Sequence, residues 1–239
     1  MSPVLPCKFE TPFADRLLVG DIVSRNGGAQ ALVLHGAGRA DRAGFRLIRE
    51  HLFAKGVSTC AFDFIGHGET GGELLGSSLQ QRTHQVLTIL RHRPLEHPMA
   101  VIAASMGAYT AVKLLEHVNV RTLVLLVPAM YTHRAYAVPF GPRFSQIIRQ
   151  PQSWVDSDAW KILARFTGSL LVVTGENDAV IPADVIRRIY DSAENAATRV
   201  LYVARAATHC ALTDLYDRDP GEFECVLQMI ADVIGPKAG

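Results

Sequence analysis

The sequence predicts an α/β protein whose mostly parallel central sheet has roughly eight strands and is flanked by helices. Short apolar runs alternate with helix-length segments along most of the chain, and this alternation is typical of parallel sheets. Several runs are apolar throughout, as strands are when helices cover both faces of their sheet. With 239 residues, of which 49% are hydrophobic, the chain can form one domain with a sizeable core.

Six segments have the composition of core strands, and Gly, Pro or polar residues bound each of them. They are residues 31–34, 57–63, 100–103, 123–127, 170–173 and 199–203. The N-terminal stretch to Ser24 predicts one or two antiparallel strands at an edge of the sheet. These additions bring the total to the roughly eight strands that we expect.

Five longer segments separate or follow these strands and carry the pattern of helices. Gly56 ends the first of them, as glycine often does just after a helix. Pro182 and Pro220 stand near the first turns of the last two, where a missing N–H is tolerated. The predicted helices span residues 45–54, 79–92, 106–117, 182–192 and 219–234.

Residues 129–166 interrupt this alternation. The segment holds three prolines and both tryptophans of the chain, and it separates two strands that a single crossover helix could join. We interpret it as a lid inserted into a core made of residues 1–128 and 167–239. The alternative is a long ordered loop with a structural helix.

Composition excludes several classes of protein. The 24 basic and 23 acidic side chains leave a formal net charge of +1, so we expect no nucleic-acid partner, which would need a basic face. No apolar run approaches the roughly 20 residues that span a bilayer. The four cysteines form no C-x-x-C pair, which argues against a zinc site. The first residues lack the pattern of a signal peptide, and we expect a cytoplasmic protein.

Residues 100–109 contain the strongest candidate for a catalytic group. An apolar strand leads directly into Ser105, and a predicted helix begins at the next residue. A serine in such an elbow is held in a strained conformation that projects its hydroxyl into a cleft. The turn needs small residues two positions to either side; Gly107 meets this need, and Ala103 adds one methyl group. The alternative is a serine that only caps the helix.

A glycine-rich turn, H-G-A-G at residues 35–38, follows the predicted strand Ala31–Leu34. Turns of this kind can direct backbone N–H groups into a cleft, where they bind an oxyanion. A dinucleotide-binding loop is the alternative, but the third glycine of G-x-G-x-x-G and the later acidic residue are missing. We expect His35 to stabilise the turn and to take no part in catalysis.

Two further candidates follow strands later in the chain. Asp178 comes after the strand at residues 170–173, with Glu176 and Asp184 as alternative carboxylates, and His209 comes after the last strand. Ligands bind at the carboxyl ends of the strands in an open α/β sheet. The order Ser, Asp, His, each at the carboxyl end of a predicted strand, therefore predicts that the three side chains meet.

Four motifs carry a resemblance to a known family. They are L-H-G-A-G at residues 34–38, D-F-I-G-H-G-E-T at 63–70, S-M-G at 105–107 and G-E-N-D-A-V-I-P at 175–182. With them the chain resembles the α/β-hydrolase superfamily, and within it the monoacylglycerol-lipase-like and serine-aminopeptidase-like branch. The resemblance implies the α/β-hydrolase fold with a short lid. Thr70 departs from the family, which often has serine there.

The resemblance also implies a role for each matching residue. Ser105 corresponds to the nucleophile, Asp178 to the acid and His209 to the base of a catalytic triad. The backbone N–H groups of Ala37 and Met106 correspond to the oxyanion hole. These roles require neither a metal nor another cofactor.

We therefore expect a serine hydrolase that cleaves a carboxylic ester through an acyl-enzyme. Thioester, amide and C–C hydrolases and acyltransferases use the same triad, and a ligand-binding protein with little turnover is a further alternative. The expected partner is a small-molecule ester or thioester with an apolar acyl or aryl group; monomer and homodimer both stay open. Candidate substrate contacts in the lid are Met130, Tyr131, Tyr136, Phe140, Trp154 and Trp160.

Overall fold

A computed structural model describes residues 6–93 and 95–235, and one eight-stranded sheet forms its centre. The strands are β1 (Cys7–Phe13), β2 (Arg16–Val23), β3 (Ala31–Leu34), β4 (Thr59–Phe62), β5 (Met99–Ala104), β6 (Val120–Leu126), β7 (Ser169–Gly175) and β8 (Thr198–Ala204). Their order across the sheet is β1-β2-β4-β3-β5-β6-β7-β8. β2 is antiparallel to both of its neighbours, and all other adjacent strands run parallel. The predicted mostly parallel sheet with antiparallel edge strands is confirmed.

Helices cover both faces of this sheet. They are α1 (Arg46–Ala54), α2 (Leu79–His92), α3 (Met106–Leu114), α4 (Pro142–Ile148), α5 (Ala159–Leu163), α6 (Ala183–Ser192), α7 (Ala211–Arg218) and α8 (Pro220–Ile234). The sequence predicted five of them, namely α1, α2, α3, α6 and α8. It did not predict α4 and α5 within residues 129–166, nor α7, whose buried residues are only Ala211 and Leu215. α3 ends three residues earlier than predicted, because the chain then continues in a tight turn in which the His117 N–H donates to the Leu114 carbonyl.

The core has two layers, one on each face of the sheet. Along β5, Val101 and Ala103 join the layer that contains α2, α3 and α6. Ala100 and Ile102, which point the other way, join the layer that contains α1, α7 and α8. This alternation is the period-2 geometry of a strand, and it explains why β5 is apolar throughout.

Residues 129–166, the predicted lid, pack against the layer of α2 and α3. The Gln80 N–H of α2 donates to the Tyr136 carbonyl at 2.9 Å, and the Phe140 N–H donates to the Ser77 carbonyl at 2.6 Å. Phe144 and Trp160 are buried in the same layer. The segment contains the short helices α4 and α5. No helix in the described ranges has both the length and the apolar character needed to cross a bilayer.

Candidate active site

β5 and α3 hold Ser105 in a sharp turn. Ser105 has φ +50° and ψ −119°, an unusual conformation for a residue with a side chain. Its side chain makes no capping hydrogen bond to α3, unlike the helix-cap serine considered as the alternative. The methyl group of Ala103 is buried in the core, so this departure from the usual glycine is accommodated.

The structure brings Ser105, His209 and Asp178 together from three loops at the carboxyl ends of strands. His209 Nε2 lies 3.0 Å from Ser105 Oγ, and His209 Nδ1 lies 2.8 Å from Asp178 Oδ2. The other carboxylate oxygen, Oδ1, accepts the N–H groups of Val180 and Ile181 at 2.8 and 3.0 Å. The Asp178 side chain is only 3% exposed, so its two oxygens are fixed between the backbone and the imidazole.

The alternative carboxylates do not bond to His209. Glu176 Oε2 accepts the N–H of Ala206 at 2.8 Å, and Asp184 lies in the first turn of α6. A carboxylate on Nδ1 favours the tautomer with the proton on that atom, which leaves Nε2 free to accept the serine proton. The arrangement can therefore transfer a proton from Ser105 to the imidazole.

The turn at residues 35–38 passes directly beside the serine. A Cβ on Gly36 would lie 3.1 Å from Ser105 Cβ, so only glycine permits this approach without displacement. Ala37 and Ser105 line the same cavity. Met106 is the first residue of α3, and the first N–H groups of a helix have no acceptor within it. Both predicted oxyanion-hole residues thus stand next to the nucleophile position.

His35 supports the turn from within the core, in keeping with the sequence expectation. Its Nδ1 lies 2.8 Å from the Gly36 carbonyl oxygen, and its Nε2 accepts the Phe64 N–H at 3.0 Å. Burial, together with the nearby Arg82 cation, lowers the pKa of His35 to about 2. The ring is therefore neutral at pH 7, with its proton on Nδ1.

A cavity of about 410 Å³ opens beside Ser105 and His209 on the side of α1 and α7. Its lining residues are Gly36, Ala37, Arg39, Ala40, Asp41, Gly44, Phe45, Ala104, Ser105, Leu126, Val127, Val173, His209, Cys210, Ala211, Leu212 and Thr213. The apolar residues in this lining were not predicted from the sequence. Leu126 and Val173 stand at or near the ends of β6 and β7, so the strand-end rule that found Asp178 could have found them as well.

The six candidate contacts in the lid are not among the residues that line this cavity. Met130, Phe140 and Trp160 are buried in the layer of α2 and α3, and Tyr131, Tyr136 and Trp154 pack against it. Trp154 and Trp160 contact each other edge to face. Their role as substrate contacts stays a prediction. In the described residues, no group of three or more His, Cys, Asp or Glu side chains is arranged to hold a metal ion.

Comparison with known proteins identifies the family. The model of the serine aminopeptidase S33 family (Hydrolase_4) matches residues 28–155, which is more than half of the chain. The chain belongs to this family. It is therefore a hydrolase-family protein of the α/β-hydrolase superfamily, and the resemblance found in the sequence is confirmed.

Solved structures share the fold of this α/β-hydrolase at low sequence identity. A monoacylglycerol lipase from Paleococcus ferrophilus is 16% identical with a TM-score of 0.69, and the match covers 91% of this chain and 98% of that one. A Pyrococcus furiosus esterase is 19% identical with a TM-score of 0.71, covering 99% and 92%. The Butyrivibrio proteoclasticus protein Est1E with bound ferulic acid is 18% identical with a TM-score of 0.68, covering 93% and 99%. No curated protein sequence matches significantly.

Proposed function

We propose that this α/β-hydrolase is a serine esterase that cleaves carboxylic esters of small or medium apolar acyl or aryl groups. The observation that carries the proposal is the hydrogen-bonded relay from Ser105 through His209 to Asp178, with donor–acceptor separations of 3.0 and 2.8 Å. These distances are within the reach that a nucleophile and its general base require.

The chemistry follows from the positions of the groups. His209 Nε2 removes the Ser105 proton as Oγ attacks the carbonyl carbon, and Asp178 stabilises the imidazolium that forms. The imidazolium then protonates the leaving alcohol, which departs as the acyl-enzyme forms. In the second half, His209 takes a proton from water, and the resulting attack releases the acid and returns the proton to Ser105.

The oxyanion of each tetrahedral intermediate would be bound by the N–H groups of Ala37 and Met106. One such donor typically contributes about 3 kcal/mol to transition-state stabilisation. Ala37 follows β3 and Met106 opens α3, and the carbonyl of the preceding residue is hydrogen-bonded in each case, so these N–H groups need little rearrangement when charge develops on the oxygen.

The cavity supports the substrate class. Phe45, Leu126, Val127 and Leu212 give it an apolar wall, and its volume of about 410 Å³ suits a small or medium group. Est1E, which shares the fold, has ferulic acid bound, and this supports an aryl group as one kind of substrate. Thioesters fit the same geometry and form the second candidate, because the triad attacks both kinds of carbonyl.

Labelling with a fluorophosphonate probe tests the proposal. Wild type should label and hydrolyse short p-nitrophenyl esters, while Ser105→Ala should do neither. Cys210→Ser is the matched control for the neighbouring nucleophile and should retain both properties. Absence of labelling in folded wild type would contradict the esterase proposal and favour a ligand-binding protein.

A further inference from the structure

Arg82 of α2 contacts the turn at residues 35–38, which carries the proposed oxyanion-hole residue Ala37. The Arg82 side chain is fully buried, and Nη2 donates to the carbonyl oxygens of His35 and Gly36 at 2.6 and 3.0 Å. Nη1 lies 3.8 Å from Met106 Sδ, and the guanidinium stacks 3.7 Å from the centre of the Phe64 ring. The cation thus contacts the turn, the elbow and an aromatic face.

Within residues 6–93 and 95–235, Arg82 forms no ion pair with a carboxylate, and its Nε has no hydrogen-bond acceptor. The other buried arginines differ, since Arg42 and Arg49 both pair with Asp21. Burial lowers the pKa of Arg82 to about 9, so the guanidinium is charged at pH 7. A buried cation without an anion lowers the free energy of unfolding. An apolar side chain of similar size would fill this space without that loss.

The hydrogen bond from Arg82 to the Gly36 carbonyl acts on the proposed oxyanion hole through one peptide unit, the Gly36–Ala37 peptide. The Gly36 carbonyl and the Ala37 N–H belong to the same trans peptide and point in opposite directions. Two groups donate to this carbonyl, the neutral His35 Nδ1 at 2.8 Å and the cationic Arg82 Nη2 at 3.0 Å, and by fixing the direction of the carbonyl they also fix the opposite direction of the Ala37 N–H. A cationic donor also polarises that peptide, which strengthens its N–H as a donor.

The Met106 N–H, the second proposed donor to the oxyanion, also belongs to a peptide whose carbonyl is hydrogen-bonded. The Ser105 carbonyl, in the same peptide as the Met106 N–H, accepts the N–H groups of Ala108 and Ala129 at 3.0 and 3.1 Å. These donors are neutral backbone amides. Among the groups that donate to the carbonyls of these two peptides, Arg82 is therefore the charged one.

We propose that Arg82 is a positioning residue of the oxyanion hole, which orients and polarises the Gly36–Ala37 peptide so that its N–H binds the developing oxyanion. The inference rests on the proposed esterase function. Arg82 is not among the residues that line the cavity, so we expect its contribution to belong to the transition state and to leave ground-state binding nearly unchanged.

Steady-state kinetics of Arg82→Met, with Arg82→Lys and Thr83→Val beside it, test this role. In Arg82→Met, we expect kcat to fall about 10- to 100-fold with KM nearly unchanged. Affinity for a trifluoromethyl ketone, whose adduct places an oxyanion in the hole, should fall by the same factor as kcat/KM. Arg82→Lys should restore part of kcat. Thr83→Val, on the same helix with its hydroxyl bonded to the Leu79 carbonyl, should match wild type.

Thermal unfolding and Ser105→Ala, measured in parallel, separate the outcomes. If turnover depends on Ser105 but Arg82→Met keeps wild-type kcat and ketone affinity, the inference is wrong and the esterase proposal stands. If turnover does not depend on Ser105, the esterase proposal is wrong and the inference is wrong with it. A loss of kcat that follows only a lowered melting temperature, without rescue by Arg82→Lys, would also overturn the positioning role.

Discussion

At the scale of single residues, the environment of each polar side chain determines what it can do. Asp178 is held by two backbone N–H groups and faces His209, whereas Glu176 is bonded to the Ala206 N–H. The two carboxylates are two positions apart in sequence, yet only one reaches the imidazole. Their difference can be measured directly.

We expect Asp178→Asn to lower kcat by about 10⁴-fold, because an amide favours the wrong imidazole tautomer. Glu176→Gln is the matched control and should change kcat less than about threefold, since it lies outside the relay. Hydrolysis of a p-nitrophenyl ester measures both variants. Equal losses of kcat in Asp178→Asn and Glu176→Gln would mean that Asp178 has no special role beside His209.

The buried histidines predict how stability depends on pH. The pKa of His35 is lowered to about 2 and that of His67 is lowered too, in both cases mainly by burial. Below the unfolded pKa of about 6.5, the unfolded chain therefore binds more protons than the folded one. The contribution of these two histidines to the free energy of unfolding is therefore complete above about pH 6.5, and it is lost as the pH falls below that value.

Urea unfolding between pH 7 and pH 5 should show this loss. Each such histidine adds a slope of up to about 1.4 kcal/mol per pH unit. His35→Gln removes one titrating ring, so its free energy of unfolding should fall less steeply, whatever its value at pH 7. Parallel curves for wild type and His35→Gln would show that His35 titrates normally in the folded protein.

At the scale of elements, the elbow depends on the close approach of α3 to β3. A Cβ on Gly107 would lie 2.7 Å from the carbonyl oxygens of His35 and Leu34. Both atoms are backbone, so they cannot move aside as a flexible side chain would. Gly107, two residues after Ser105, therefore serves both the packing of α3 and the position of the turn at residues 35–38.

Gly107→Ala should lower the free energy of unfolding by about 1–3 kcal/mol through this overlap and reduce kcat by displacing the turn. Gly221→Ala is the matched control, since Gly221 is likewise the second residue of a helix, α8. Its Cβ would meet only Asp219 Oδ1 at 3.5 Å, so stability should rise by up to about 1 kcal/mol. Equal destabilisation of both variants would contradict the overlap.

The helix α7 forms one wall of the cavity, and the lid segment packs on the opposite layer. Leu212→Trp should fill the cavity and shift the preference towards shorter acyl chains, seen in kcat/KM for p-nitrophenyl esters of increasing length. Trp160→Phe, a change of aromatic size in the lid, should leave that preference unaltered. A shift caused by Trp160→Phe alone would instead support the predicted lid contacts.

At the scale of the whole molecule, a buried ion cluster ties the antiparallel edge to the parallel sheet. Arg42 pairs with Asp21 of β2 at 2.7 Å, with Asp63 after β4 and with Glu69 at 2.9 Å. The side chains of Arg42, Asp21 and Asp63 are each at most 8% exposed. Asp63 also accepts the N–H groups of Arg42 and Glu69, so the motif at residues 63–70 is a structural turn.

Removing the central cation should therefore be severe. We expect Arg42→Ala to cost about 3–5 kcal/mol in the free energy of unfolding, because it leaves the buried Asp63 carboxylate without its cation, while Asp21 keeps only its pair with Arg49. The control Arg46→Ala removes an exposed pair with Glu50 and should cost at most about 0.5 kcal/mol. Chemical denaturation measures both, and similar small losses would show that the cluster is not coupled to folding.

The sequence was sufficient for the sheet, five helices and the order of Ser105, Asp178 and His209, because apolar periodicity and strand-end polar residues are local signals. It did not predict α7, whose two buried residues give little pattern. It also could not place the cavity, since Phe45 and Leu212 are far apart in the chain and meet only after folding.

The sequence by itself therefore determined the fold class, the family and the residue types available for catalysis. Only the tertiary structure decided which carboxylate faces His209, on which side of the sheet the cavity opens, and that Arg82 donates to the turn at residues 35–38. The physical reason is that these properties depend on distances and burial between segments distant in sequence. No local pattern encodes them, because packing fixes them only when the layers close on the sheet.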